Sequence, residues 1–225
     1  MILVSDTHTM HNKLIIPECD VMIYSGDYTN NGKLSEVTSF LDWLVSLKHC
    51  RNIIFIEGNH ELHNDPMFRT SYEIAKFHRM LEERDINTRN CRIHHLLDEG
   101  VTIDGVKFYG SPWTPAFCGW AFNSTRQELQ EIWSKVPLDT DVLISHGPPY
   151  GYGDQLEGSF ERVGDKELLA RIYEVNPKLV ICGHIHCGAG CYSLSDKTTV
   201  LNVALVDEQY YLVRDPVMIN YEDFI

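Results

Sequence analysis

A chain of 225 residues, 44% of them hydrophobic, is long and apolar enough for a real core, which argues against disorder. A net charge of −13, from 32 acidic against 19 basic residues, argues against stable nucleic-acid binding and against an anionic membrane surface, since both recruit cationic protein. Seven cysteines without paired spacing read as reduced thiols of a cytoplasmic protein, the opening Met1-Ile2-Leu3-Val4 lacks the pattern of a signal peptide, and no apolar run has membrane-span length.

Ile2-Leu3-Val4 reads as a first buried strand and leads at once to Asp6 and His8, with His11 in the following loop. Val21 to Tyr24 is a second strand, ending at Gly26-Asp27 before the turn Asn30-Asn31-Gly32. Leu34, Val37, Leu41 and Leu44 recur at helical spacing, closed by His49 and Cys50. Ile53 to Ile56 is a third strand and delivers Gly58-Asn59-His60-Glu61. A loop from Leu62 to Arg69 precedes a helix with Ile74, Phe77 and Leu81 on one face; His78 on it reads as solvated or capping.

Cys91 to Leu97 predicts a strand, and Val101-Ile103 with Val106-Phe108 a hairpin around Asp104-Gly105. His94 and His95 fall on opposite faces of their strand, so they do not serve one metal together. The stretch Gly110 to Asn123, with Trp113, Phe117, Trp120 and Phe122 among prolines and glycines, reads as a loop. It either plugs the core or walls a substrate pocket, with Trp113 and Trp120 as the candidate pocket residues. Ser124 with Gln127, or Thr125 with Glu128, opens a helix carrying Leu129, Ile132, Trp133 and Val136. Val142 to Ile144 leads to His146-Gly147-Pro148-Pro149, and a second Gly/Pro-rich loop runs on to Gly164. A helix with Leu168, Leu169, Ile172 and Val175 stops before Pro177, and Leu179-Val180-Ile181 leads to Gly183-His184-Ile185-His186. The tail alternates (Tyr192, Leu194; Leu201, Val203; Tyr210, Leu212), predicting antiparallel strands that finish a second sheet.

Buried strands alternating with helices predict an α/β domain in one piece over residues 1–225. Ligands of such sheets gather beyond the carboxyl ends of the strands. Five strand ends bearing Asp6 and His8, Asp27, Asn59 and His60, His146, and His184 with His186 therefore describe one site with donors enough for two metals. Mixed oxygen and nitrogen donors suit Mn, Fe, Zn, Co or Ni better than Ca or Mg. Cys182 and Cys187 read as small hydrophobes, not ligands.

Asp6-Thr7-His8, Gly26-Asp27, Gly58-Asn59-His60-Glu61, His146-Gly147 and Gly183-His184-Ile185-His186 resemble, in order and spacing, the signature blocks of the calcineurin-like metallophosphoesterases. Gly26 to Leu44, Tyr109-Gly110-Ser111-Pro112-Trp113 and His146-Gly147-Pro148-Pro149 resemble a narrower branch, the metallophosphoesterase-domain-containing proteins near the class III cyclic-nucleotide phosphodiesterases. The resemblance implies a four-layer αββα fold, two mixed sheets face to face flanked by helices. It implies two divalent transition-metal ions, Mn2+ by preference. Asp6, His8, Asp27 and His186 would hold one; Asp27, Asn59, His146 and His184 the other. A hydroxide shared by the ions would attack a phosphoryl group in line, and His60 would protonate the leaving alkoxide. Protein Ser/Thr phosphatases of the superfamily place arginines beside the second and third blocks to clamp a phosphomonoester dianion; here Tyr28, Thr29 and Asn30 follow Asp27, and Glu57 precedes Gly58. That favours a monoanionic diester, so the expectation is a phosphodiesterase of small diesters, cyclic nucleotides among them. The alternatives are a nuclease or phosphomonoesterase of the same superfamily, and a metal-binding interaction protein with vestigial activity.

Overall fold

The structure is a computed structural model and describes residues 1–85 and 91–223. Its first sheet has the order β13-β1-β2-β3-β4, built from β1 (Ile2–Val4), β2 (Cys19–Ser25), β3 (Cys50–Ile56), β4 (Arg92–His95) and β13 (Val217–Met218). The second has the order β11-β12-β10-β9-β6-β5, from β5 (Glu99–Ile103), β6 (Val106–Ser111), β9 (Val142–Ser145), β10 (Leu179–Cys182), β11 (Gly190–Ser193) and β12 (Thr199–Asn202). A short parallel pair, β7 (Thr114–Pro115) and β8 (Asn123–Ser124), closes the aromatic loop on itself.

Side-chain alternation turns these strands into layers. Leu3, Val21, Ile23, Ile54 and Ile56 face Phe108, Val142, Ile144, Ile181 and Leu201 in the core between the sheets. The alternate residues of the first sheet, Val4, Met22, Tyr24, Ile53 and Phe55, pack under α1 (Leu34–Ser46) and α2 (Ser71–Asp85) through Val37, Phe40, Leu44 and Phe77. On the far side, Tyr109, Leu143, Val180 and Val200 meet Leu129, Trp133, Leu168 and Ile172 of α3 (Arg126–Ser134) and α4 (Lys166–Val175). The outcome is a mixed α/β, four-layer architecture.

Helix ends follow the sequence signals. Thr125 and Glu128 form the capping box of α3, so of the two candidate boxes this one is used. Asp165 caps α4, which ends on Asn176 in the left-handed region (φ 53) just before Pro177. The tail departs from expectation. β11 and β12 are antiparallel as predicted, but β12 also pairs in parallel with β10. Tyr210 and Leu212 form no strand. Asp207 Oδ1 accepts the amides of Gln209 and Tyr211, bending the chain into a tight loop with only a Val206–Leu212 bridge, and the last strand, β13, crosses to the first sheet. An Asx-type turn at Asp207 thus overrides the alternation.

Candidate metal centre

The loops beyond β1, β2, β3, β9 and β10 converge. The first two run side by side: the amide of Asp6 donates to Gly26 O (3.0 Å), that of His8 to Asp27 O (3.1 Å) and that of Thr9 to Tyr28 O (3.1 Å). Asp6 (φ 52), His8 (φ 42), Asp27 (φ 57) and His184 (φ 67) all sit in the left-handed region, a conformation that costs about 1–3 kcal/mol each in non-glycine residues. Glycines make room for the carboxylates. A Cβ on Gly58 would lie 2.3 Å from Asp27 Oδ1, and one on Gly183 would lie 2.0 Å from Asp6 Oδ2. The amide of His184 donates to both oxygens of Asp6 (3.0 and 3.1 Å), and that of His60 to Asp27 Oδ1 (2.9 Å).

Among the described residues three donor groups result, each with its ligand atoms within 4.8 Å of one another: Asp6, His8 and His186; His8, Asp27 and His60; Asp27, His146 and His184. Asp27 joins the second and third, His8 the first and second. Asp27 Oδ2 lies 3.3 Å from His146 Nε2, 3.7 Å from His8 Nε2 and 4.0 Å from His60 Nε2, while Asp6 Oδ1 lies 3.5 Å from His186 Nε2. Asn59 enters through Oδ1, 3.0 Å from His146 Nε2.

The hydrogen bonds fix which ring nitrogens face inward. His146 Nδ1 meets Ser25 O (2.9 Å), His186 Nδ1 meets Asp207 O (3.0 Å) and His60 Nδ1 meets Asn30 O (2.6 Å). A carbonyl only accepts, so each Nδ1 carries the proton and each Nε2 presents a lone pair to the centre when the ring is neutral. Around His146, three acceptors then converge: its Nε2, Asn59 Oδ1 and Asp27 Oδ2. Both nitrogens of His8 are buried without a hydrogen-bond partner. Such a set needs either extra protons or cations, and its donors fit divalent transition metals.

Charge is organised accordingly. Burial would raise the Asp27 carboxyl, but His146 and His60 outweigh it and hold the group well below its usual range. Asp6 is likewise lowered, burial being overcome by His186 and His146. Burial pushes His8 and His184 down to about 4, keeping them in the neutral form that binds metal. His146 moves the other way, to about 9, because Asp27 overcomes the cost of its burial.

Glu61 supports the arrangement through the main chain of its loops. Its Oε2 accepts the amides of Gly58 (2.6 Å) and Asp27 (2.9 Å), and its Oε1 those of Thr29's amide and hydroxyl (both 2.9 Å). Burial, then the charge of Asp27, pushes its carboxyl up, while the donors aimed at both oxygens pull the other way and hold it as a carboxylate.

Glu57 does not face the centre. It is fully buried, with Oε1 held by His95 Nε2 (2.6 Å) and Asn64 Nδ2 (2.7 Å), which removes it as a reason for the site to reject a dianion. His11 is buried against Phe40 and Trp43 and bonded to Ser39, so it belongs to the core. The aromatic loop divides. Phe122 is a plug at 1% exposure, Phe117 is exposed, and Trp113 is pinned by Asp98 (3.1 Å) with its ring edge on Phe122. Trp120 alone among these reaches the site, stacked on His60 at 4.2 Å between centroids, and the neighbouring Ala121 amide donates to Asn59 O (3.1 Å). Sequence reasoning missed Tyr210. Its ring stands edge-on to His8 (4.6 Å), His186 (5.4 Å) and His60 (6.4 Å), positioned by the Asp207 turn, and only a turn signal at Asp207 could have pointed to it.

The model of the calcineurin-like phosphoesterase family matches residues 2–188. The chain is 38% identical over 227 residues to human metallophosphoesterase domain-containing protein 1, covering 96% of this chain and 69% of that protein. It is 34% identical over 224 residues to a UPF0046 protein of Caenorhabditis elegans, covering 97% and 73%. A solved crystal structure superposes with a TM-score of 0.65 at 15% identity, over 89% of this chain and 88% of that one, which speaks to the fold alone.

Proposed function

The chain belongs to the calcineurin-like phosphoesterase family, whose members are metal-dependent phosphoester hydrolases, and on that premise we propose that it is a dinuclear phosphodiesterase of small diesters. Two divalent cations, Mn2+ by preference, would be held by Asp6, His8, Asp27 and His186 and by Asp27, Asn59, His146 and His184. When bound they supply Lewis-acid activation of a phosphoryl oxygen and acidify a water. The chain's own residues do the rest. Glu61 and the backbone at Gly58 and His60 keep Asp27 in place between the two groups. His60, with Nδ1 donating to Asn30, presents Nε2 to the interior; it enters the step as an imidazolium, gives the Nε2 proton to the leaving alkoxide and is left neutral.

The observation that carries the diester reading is what the residues after Asp27 are doing. Tyr28 hydroxyl is bonded to His63 Nε2 (3.2 Å), Thr29 to Glu61, and Asn30 O to His60. These places are spent on bracing the loops, where a phosphomonoester dianion would call for a guanidinium clamp. The rim is aromatic instead, with Trp120 and Tyr210, and suits an organic ester group such as a nucleobase or aryl ring at about 1–3 kcal/mol per stacked ring. The acidic balance of the chain supports a small substrate over a nucleic-acid polymer.

The test is to compare an aryl phosphodiester, the matching monoester and cyclic nucleotides as substrates of the Mn2+-reconstituted protein, with chelator and His60→Ala controls. Diester turnover exceeding monoester turnover is expected. Monoester preference would overturn the diester reading, and no turnover with any divalent metal would overturn the enzyme reading.

A further inference from the structure

The strands that deliver Asp27 and Asn59 both begin on a cysteine. Cys19 opens β2 and Cys50 opens β3, and the two residues are partners in the parallel register. Their Sγ atoms are 3.2 Å apart, in contact as thiols. Adjacent strands lie about 4.8 Å apart. That falls within the roughly 4.4–6.8 Å Cα window that a disulfide spans, so the spacing of the strands is compatible with one. Beyond the pair, the Arg51–Asp20 ion pair (3.0 Å) and the Asn52 side chain on Asp20 O (3.3 Å) pin the register.

The two thiols are not equivalent. Cys19 is half-buried and Cys50 is fully buried. The Cys50 thiol hydrogen-bonded to Cys19 lowers the latter's pKa, while the same bond and burial push Cys50 up. The half-buried cysteine, with the better-stabilised thiolate, thus sits beside a fully buried resolving partner, an asymmetry that makes thiol oxidation site-selective.

We propose that Cys19 and Cys50 are a redox-modifiable dithiol that closes to a disulfide by exchange with a low-molecular-weight disulfide such as oxidised glutathione. The Cys19 thiolate attacks one glutathione sulfur; that S–S bond breaks and the first glutathione leaves as a thiolate that takes a proton. Cys50 gives its proton to solvent and attacks the Cys19 sulfur, expelling the second glutathione. Two protein thiols are oxidised and one disulfide is reduced to two thiols. The link ties residues 31 apart in sequence and so restricts the unfolded chain. It lies at the entry ends of β2 and β3, about 20 Å along the strands from the candidate metal centre, so it locks the two strands together without changing the site.

The experiment incubates the full chain, under native conditions, with oxidised glutathione, followed by alkylation of free thiols and peptide mapping without reduction. The exposed Cys118, Cys187 and Cys191 serve as internal evidence that the oxidant acted. A peptide linking Cys19 to Cys50 is expected, with a Tm raised by roughly 5–15 °C and reversed by reductant. Cys19→Ser should abolish both, and Cys50→Ser should leave one glutathione on Cys19. Alkylated Cys19 and Cys50 beside glutathionylated Cys118, Cys187 and Cys191, or a link from Cys50 to Cys91, would overturn the proposal.

Discussion

Glu61 reaches Asp27 through the main chain: its Oε2 accepts the Asp27 amide at 2.9 Å and the Gly58 amide at 2.6 Å, while Oε1 takes Thr29. One carboxylate thereby sets the spacing of the loops after β2 and β3, and with it the position of the residue both donor groups need. Glu61→Gln keeps the shape but turns an NH2 toward N–H donors. A loss of about 1–3 kcal/mol in unfolding free energy is expected for each donor left unpaired. A roughly 10–100-fold weaker affinity for Mn2+ should accompany it. Urea unfolding and metal titration measure the two effects.

The His60 ring is fixed by Asn30 O and by the Trp120 face, and it is the His60 backbone amide, which a substitution keeps, that holds the shared carboxylate. His60→Asn should lower kcat by about 10²–10⁴. Metal binding, read by titration calorimetry, should stay within a few-fold of the parent. The loss should be smaller on esters with a good leaving group, which need no proton; equal losses on both would remove His60 from the acid role.

Trp120 and Tyr210 border the site from opposite stretches of chain, whereas Trp113 is tied to Asp98. Trp120→Ala and Tyr210→Ala are each expected to raise KM for an aryl or nucleotide diester by roughly 5–150-fold, the equivalent of about 1–3 kcal/mol of lost stacking. Trp113→Ala should leave KM unchanged and lower the Tm. Steady-state kinetics with calorimetry separates the two classes.

Burial holds His11 and His63, both outside the metal groups, at about 4 against an ordinary 6.5. The unfolded chain therefore takes up protons on them as the pH falls below 6.5, and the folded chain does so only near 4. Their contribution to stability is complete above the upper value and is lost across that window on acidification. Urea midpoints of metal-free protein should fall between pH 7 and pH 5. His11→Leu should flatten the slope by at most one proton.

Much of this centre was legible from sequence because strand ends are. An apolar run followed by Asp6, Asp27, Asn59, His146 or His184 marks both a buried strand and the edge where it stops, and the parallel pairing of β1, β2 and β3 and of β9 and β10 brings those edges together. Loop composition was a weaker guide. Nothing in the string Trp113 to Phe122 distinguishes the ring that stacks on His60 from the one that plugs the core, because that depends on the Ala121–Asn59 and Phe122–Asp65 hydrogen bonds. Glu57 misled for a similar reason, since a neighbour in sequence at a strand end points to the opposite face. Tyr210 was invisible because alternation suggested a strand where Asp207 makes a turn.

The hydrogens at the α-carbons of Gly58 and Gly183 leave the carboxylates their only berth, with a methyl group at either position overlapping an oxygen of Asp27 or Asp6. Selection can therefore reshape this enzyme from above but not from below. The floor is sterically frozen, and divergence toward a new ester would have to be written in the two loops that carry Trp120 and Tyr210.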